Sequence, residues 1–158
     1  MSRSRVTENG KGIRALQREM RALTREFRLT IGIHSKDSKP YQKGSDEPAT
    51  TAQVGSFHEF GTEKIPARPW LTPVFADNRQ RYINGIRCQL RLLLDQAITP
   101  AQAVGRVGEV IVGDIKERIA NGIEPALDEK TIKRKGSSKP LIDTGQLRQS
   151  ITYQVSKK

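Results

Sequence analysis

Cysteine is the scarcest reactive residue: Cys88 stands alone in 158 residues, so no intramolecular disulfide can form. Nothing therefore points to an oxidising compartment. Cys88 lies among Ile86, Leu90 and Leu93, which predicts a small buried hydrophobe. Histidine is almost as rare, with only His34 and His58. His58-Glu59 opens like a zinc-protease helix, but Thr62 stands where the second histidine belongs. The sequence thus predicts no metal site and no cofactor. Aromatic residues make up 5%, which leaves little for stacking nucleic-acid bases. No apolar run approaches the ~18 residues of a membrane span. Met1-Ser2-Arg3-Ser4-Arg5 has no apolar stretch behind it, so no secretory signal and no membrane partner are expected.

Catalytic patterns are equally thin. Ser56, near His58, lacks a nucleophile-elbow frame. Lys43-Gly44-Ser45 lacks the upstream glycine of a phosphate loop. Gly105 and Gly108 lie on a helical stripe with no strand before them, which suits close helix packing better than a dinucleotide loop. His34, at a strand end, reads as a surface or satisfied histidine. Glu59 and Asp143 are isolated carboxylates suited to caps or to the surface. The expectation is a protein that is not an enzyme.

What the chain has is positive charge. Lysine and arginine number 28 against 17 acidic residues, a net charge of +11. Such a surface favours polyanions or acidic proteins, though the same charge can serve solubility alone. Phosphate attraction carries no base information, so sequence-specific reading is not implied. Hydrophobic residues reach 35% and charged residues 28%, a composition for one domain with a modest core. Residues 1–10 are polar and predict a mobile arm; residues 11–158 predict a single domain.

Ile13, Leu16, Met20, Leu23 and Phe27 recur in steps of 3, 4, 3 and 4, the stripe of an amphipathic helix. Leu29, Ile31 and Ile33 alternate as a strand. Residues 35–52 form a long polar loop, suited to contacting a partner or to disorder. Ala52 to Phe60 predicts a short helix stopped by Gly61. Pro66 and Pro69 force an extended link. A long helix restarts at Leu71 or Thr72, with Pro73 in its first turn, and runs to about Gln96. Its apolar positions are Phe75, Tyr82, Ile83, Ile86, Leu90, Leu93 and Leu94.

Thr99-Pro100 starts a second long helix, which Asn121-Gly122 stops. Residues 123–140 read as a second irregular, basic segment. Thr144 to Leu147 suggests one helical turn, and Ile151, Tyr153 and Val155 a closing strand. The fold class is α+β: a small antiparallel or mixed sheet packed on two long helices, with an N-terminal amphipathic helix and long partner-contacting loops. Two strands alone make a poor sheet. Either a third strand lies in a loop, or neighbouring subunits complete the sheet.

Two segments carry a resemblance. The first is Ala52-Gln-Val-Gly-Ser-Phe-His-Glu-Phe-Gly-Thr-Glu-Lys-Ile-Pro-Ala-Arg-Pro-Trp-Leu-Thr-Pro-Val-Phe75. The second is Lys139-Pro-Leu-Ile-Asp-Thr-Gly-Gln-Leu-Arg-Gln-Ser-Ile-Thr-Tyr153. In this order and near this spacing they resemble the paired signature of tailed-phage neck, tail-completion and Mu-like virion morphogenesis proteins. The resemblance implies a structural virion protein of the neck or tail, made in the host cytoplasm. It would form a ring, a hexamer or a dodecamer, between a head-closure or connector protein and a tail terminator or tail tube protein. Genomic DNA would pass through and be contacted non-specifically. The alternatives are a tail terminator or minor tail protein, and a basic DNA-binding packaging accessory protein.

The candidate interface residues are Phe57, His58, Glu59, Phe60, Gly61, Pro66, Arg68, Pro69 and Trp70. The prolines stiffen the link, so little ordering entropy remains to be lost on docking. Arg68, between them, is expected to point outward toward a neighbour's carboxylate. Trp70 is either an interface anchor or a plug in its own core. As an anchor, its truncation to alanine would weaken assembly more than folding. In the second segment, Asp143 or Thr144 is expected to cap a turn over Leu141, Ile142 and Leu147. Lys130, Lys133, Arg134 and Lys135 are the candidate DNA-channel-facing residues.

Overall fold

The structure, a computed structural model, describes residues 14, 17–18, 20–21, 27–40, 49–135, 138–142 and 145–157, excepting the side chains of Arg134 and Lys135. The predicted arm at 1–10 lies outside the described residues, as does most of the predicted first helix. Arg14, Gln17, Arg18, Met20 and Arg21 are helical. Phe27 does not end that helix. It opens strand β1, Phe27–Ile33, where it shares the two-residue period of Leu29, Ile31 and Ile33.

β1 pairs antiparallel with β2, Ile151–Lys157, in the register Leu29 opposite Val155, Ile31 opposite Tyr153 and Ile33 opposite Ile151. These pairs share one face, and the opposite face carries Arg28, Thr30, Gln154 and Ser156. No third strand joins the sheet among the described residues. An isolated bridge between Pro40 and Thr50 closes the neck of the predicted long loop. Residues 41–48 of that loop lie outside the described residues.

Helix α1 is Thr51–Phe60. Its start is a capping box in which the Thr50 hydroxyl accepts from the Gln53 N–H, and the Gln53 side chain accepts from the Thr50 N–H. The single long helix expected after the proline link is instead two, α2 at Thr72–Asp77 and α3 at Arg79–Leu94. Asn78 separates them: its amide Nδ2 and its backbone N–H both donate to the Val74 carbonyl. A side chain that bonds its own backbone competes with the helical ladder.

Helix α4, Pro100–Asn121, is the spine of the molecule. Thr99 and Gln102 form a second capping box before Pro100, and Gly122, at φ 96°, ends the helix. One side of α4 lies on both strands and another against α3. Gly108 lets the sheet approach closely, because a Cβ there would stand 2.7 Å from the Tyr153 ring. The core gathers Ile111, Ile115 and Ile119 of α4 with Trp70, Val74, Tyr82, Leu147 and Ile151.

Two further expectations need correction. Cys88 is exposed, not buried. It lies six residues from Tyr82 and five from Leu93, which turns it well away from the face those two bury. Residues 123–140 are not irregular throughout, for they contain helix α5, Glu129–Lys135. Asp128 supplies its cap, accepting the Thr131 N–H at 2.8 Å and the Thr131 hydroxyl at 3.2 Å. The last helix, α6, is Gln146–Ser150 and leads straight into β2. No helix among the described residues is long and apolar enough to cross a membrane.

Candidate assembly surface

The first signature segment folds back on itself. Gly61 caps α1 at φ 77°, and a Cβ there would stand 3.0 Å from the Ala67 nitrogen, so only glycine suits this reversal. Thr62 then ties a tight turn. Its N–H donates to the Ile65 carbonyl at 2.8 Å, and its hydroxyl accepts the Ile65 N–H at 3.0 Å. The returning link is pinned to α1 where the Arg68 N–H donates to the His58 carbonyl at 2.6 Å.

Glu59 is the centre of this clamp. It is only 8% exposed. One of its oxygens accepts the N–H groups of Trp70 and Leu71 at 2.8 and 2.9 Å, and the other accepts the Thr72 N–H at 2.9 Å. Those donors are the unpaired amides at the start of α2, so a carboxylate from α1 caps the next helix. Burial acts to raise its pKa. The hydrogen bonds from the Thr72 hydroxyl and the three backbone amides outweigh burial and hold the carboxyl below its ordinary value. The cap role expected for Glu59 therefore holds.

Trp70 plugs its own core, at 4% exposure. Its indole N–H donates to the Gly55 carbonyl at 2.9 Å, and Gly55 leaves room for the ring. The idea that Trp70 anchors a neighbour is corrected accordingly. Arg68 does not point outward either. It is 5% exposed, and its Nε and Nη2 donate to the carbonyls of Pro125 and Ala126 at 2.6 and 3.0 Å. Two adjacent carbonyls satisfy the guanidinium fork where a neighbour's carboxylate was expected.

Outside the clamp two phenylalanines are exposed next to the polar turn residues Thr62, Glu63 and Lys64. Phe60, at the end of α1, is 78% exposed, and Phe57, one turn earlier, is 40% exposed. Pro66 and Ala67 are exposed as well, while His58, Gly61 and Pro69 are half-buried. The structure thus separates the nine candidate interface residues into an inner set (Glu59, Arg68, Trp70) that holds the turn and an outer set led by Phe57 and Phe60.

The sequence did not single out Arg118. From the last turn of α4 its Nε donates to the Pro69 carbonyl at 3.3 Å, and its Nη1 lies 3.7 Å from the Asp77 carboxylate. An arginine near the end of a long helix gives no local sign of that reach.

The second signature segment is internal. Leu141 and Leu147 are buried, Ile142 is half-buried, and Gly145, at φ 76°, turns the chain into α6. The suggested caps Asp143 and Thr144 lie outside the described residues. Of the candidate DNA-facing residues, Lys130 and Lys133 are exposed on α5 and belong to another part of the chain from the clamp. The side chains of Arg134 and Lys135 lie outside the described residues.

His34 is satisfied, as expected. Its Nε2 lies 2.9 Å from the Thr30 hydroxyl and its Nδ1 3.0 Å from the Thr152 hydroxyl, which donates to Asp37 at 2.8 Å. This chain of bonds staples the short 3-10 turn Ser35–Asp37 to β2. Comparison of the whole chain with family models, with curated proteins and with solved structures finds no match.

Proposed function

We propose that the chain is a structural subunit of a tailed bacteriophage, a neck or tail-completion protein whose ring joins the head connector to the tail and lets DNA pass. The observation that carries this reading is the rigid presentation of Phe60. With Phe57, 40% exposed one turn earlier, it puts a pair of aromatic rings on the surface at the end of α1. Phe60 ends α1 just before the reversal that Glu59, Arg68 and Trp70 hold from within. A preorganised apolar knob loses little entropy on docking, which is what an assembly contact requires.

The sheet supports the same reading. With two strands among the described residues, each strand has one edge free to pair with another chain. A ring supplies the neighbour on both sides, because a head-to-tail contact closes on itself.

Image reconstruction of virions of a phage that encodes the chain tests the proposal. The expected result is a ring of six or twelve copies between head connector and tail tube, its number set by family resemblance. Absence from the virion would overturn it and bring the basic DNA-binding packaging reading forward.

A further inference from the structure

Helix α3, Arg79–Leu94, contains Arg79, Arg81, Arg87 and Arg91 and no aspartate or glutamate. Arg81 is paired with Asp114 at 3.0 Å. Arg79, Arg87 and Arg91 are exposed, and none has a carboxylate partner among the described residues. Tyr82 and Leu93 bury the opposite side of the helix.

Gln80, Asn84, Arg87 and Arg91 follow one another at steps of 4, 3 and 4, a single outward line along the helix. Within it the Asn84 side-chain oxygen accepts from Arg87 at 3.3 Å and from Gln80 at 3.2 Å. Arg87 and Arg91 are separated by about 6 Å along the axis, a spacing compatible with successive phosphates of one strand.

Resting on the proposed neck function, we infer that this outward face of α3 is the surface that meets the DNA phosphate backbone, in preference to the basic α5 segment. Charge complementarity selects the occupant. As far as Arg91 the line has only positive and neutral polar groups; exposed Leu94 and Asp95 follow where the helix ends, outside its centre. A protein partner would want an apolar centre within its contact, whereas a phosphate backbone is met by cations and hydrogen-bond donors alone. The scarcity of aromatics fits a surface that slides over DNA and does not read it. Helix α5 is the rival surface, with four cations and one carboxylate in its sequence Glu129–Lys135, and the lysine variant below tests it directly.

The test is duplex binding by the full chain, read as fluorescence anisotropy against a random-sequence duplex between about 50 and 200 mM salt. Three chains are compared: the native one, the double variant Arg87→Gln, Arg91→Gln, and the double variant Lys130→Gln, Lys133→Gln. The native chain is expected to bind weakly at the low-salt end. The slope of log affinity against log salt should flatten by between about 1 and 2 in the arginine variant, at about 0.9 per lost phosphate contact. The lysine variant should keep most of its slope. Unchanged thermal unfolding of both variants excludes misfolding as the cause.

An unchanged slope in the arginine variant, equal losses in both variants, or no duplex binding by the native chain would each overturn the inference. So would tighter binding to polyglutamate than to duplex, which would make an acidic protein the occupant. A chain seated in the neck whose arginine variant keeps its slope loses only this inference. A chain absent from the virion loses the neck reading whatever the slope does.

Discussion

The carboxylate of Glu59 accepts the backbone N–H of Trp70 at 2.8 Å, which ties the last turn of α1 to the first residues of the returning link. The same carboxylate holds Leu71 and Thr72, so one side chain fixes both the reversal and the start of α2. Replacing Glu59 with alanine orphans three amide donors in a largely dry setting. The expected loss is about 2–4 kcal/mol of folding stability, measured by chemical denaturation. Glu59→Gln keeps the shape but turns an NH2 group toward donors, and it should recover little. A loss below ~0.5 kcal/mol in both variants would remove Glu59 from the role described here.

The same group predicts a dependence on acid. The Glu59 pKa is lowered in the folded chain, so the folded state binds fewer protons than the unfolded state near the ordinary carboxylate value of 4.5. Its contribution is therefore complete above that value and is lost as pH falls through the lower folded value. Thermal midpoints of native chain and Glu59→Gln, followed downward from neutral pH, should converge in acid. Parallel curves throughout would mean that the carboxylate charge contributes nothing.

Two glycines of α4 should respond oppositely to alanine. At Gly108 the new Cβ would meet the Tyr153 ring at 2.7 Å and Leu29 at 3.0 Å, and an atom near the root of the ring cannot swing aside. Gly108→Ala should cost about 1–3 kcal/mol by overpacking. At Gly113 nothing lies within 4 Å of the added methyl, so Gly113→Ala should gain about 0.5–1 kcal/mol through helix propensity. Urea denaturation of the two variants checks this. Equal responses would show that α4 does not press on the sheet as described.

Much of this architecture was legible in single residues. Thr99-Pro100, Gly61 and Asn121-Gly122 marked boundaries because caps act through the nearest few residues. Glu59 was legible as a carboxylate suited to capping, though not which helix it serves. That needs the chain to reverse through Gly61 and bring Trp70 back. Arg68 misled for the same reason: its acceptors, Pro125 and Ala126, lie more than fifty residues away. Cys88 and the break at Asn78 were lost to a stripe that looked continuous, since apolar neighbours in sequence do not share a helix face. Within the candidate interface, the separation into inner clamp and outer knob required burial, which period alone cannot give.

That separation makes the last prediction, a contrast between Trp70 and Phe60. Trp70→Ala empties a core site and breaks the bond to Gly55, so it should cost about 3–5 kcal/mol in the subunit itself. Any loss of assembly would then follow from unfolding. Phe60 touches little of its own chain, so Phe60→Ser should leave subunit stability within ~0.5 kcal/mol. If the exposed ring docks into a neighbour, the same variant should lose oligomers that the native chain forms, as read by native mass spectrometry. Assembly that survives Phe60→Ser and Phe57→Ser together would leave the knob without a purpose in the ring. The contact would then have to be sought along the open strand edges, where backbone amides, unaffected by either substitution, do the joining.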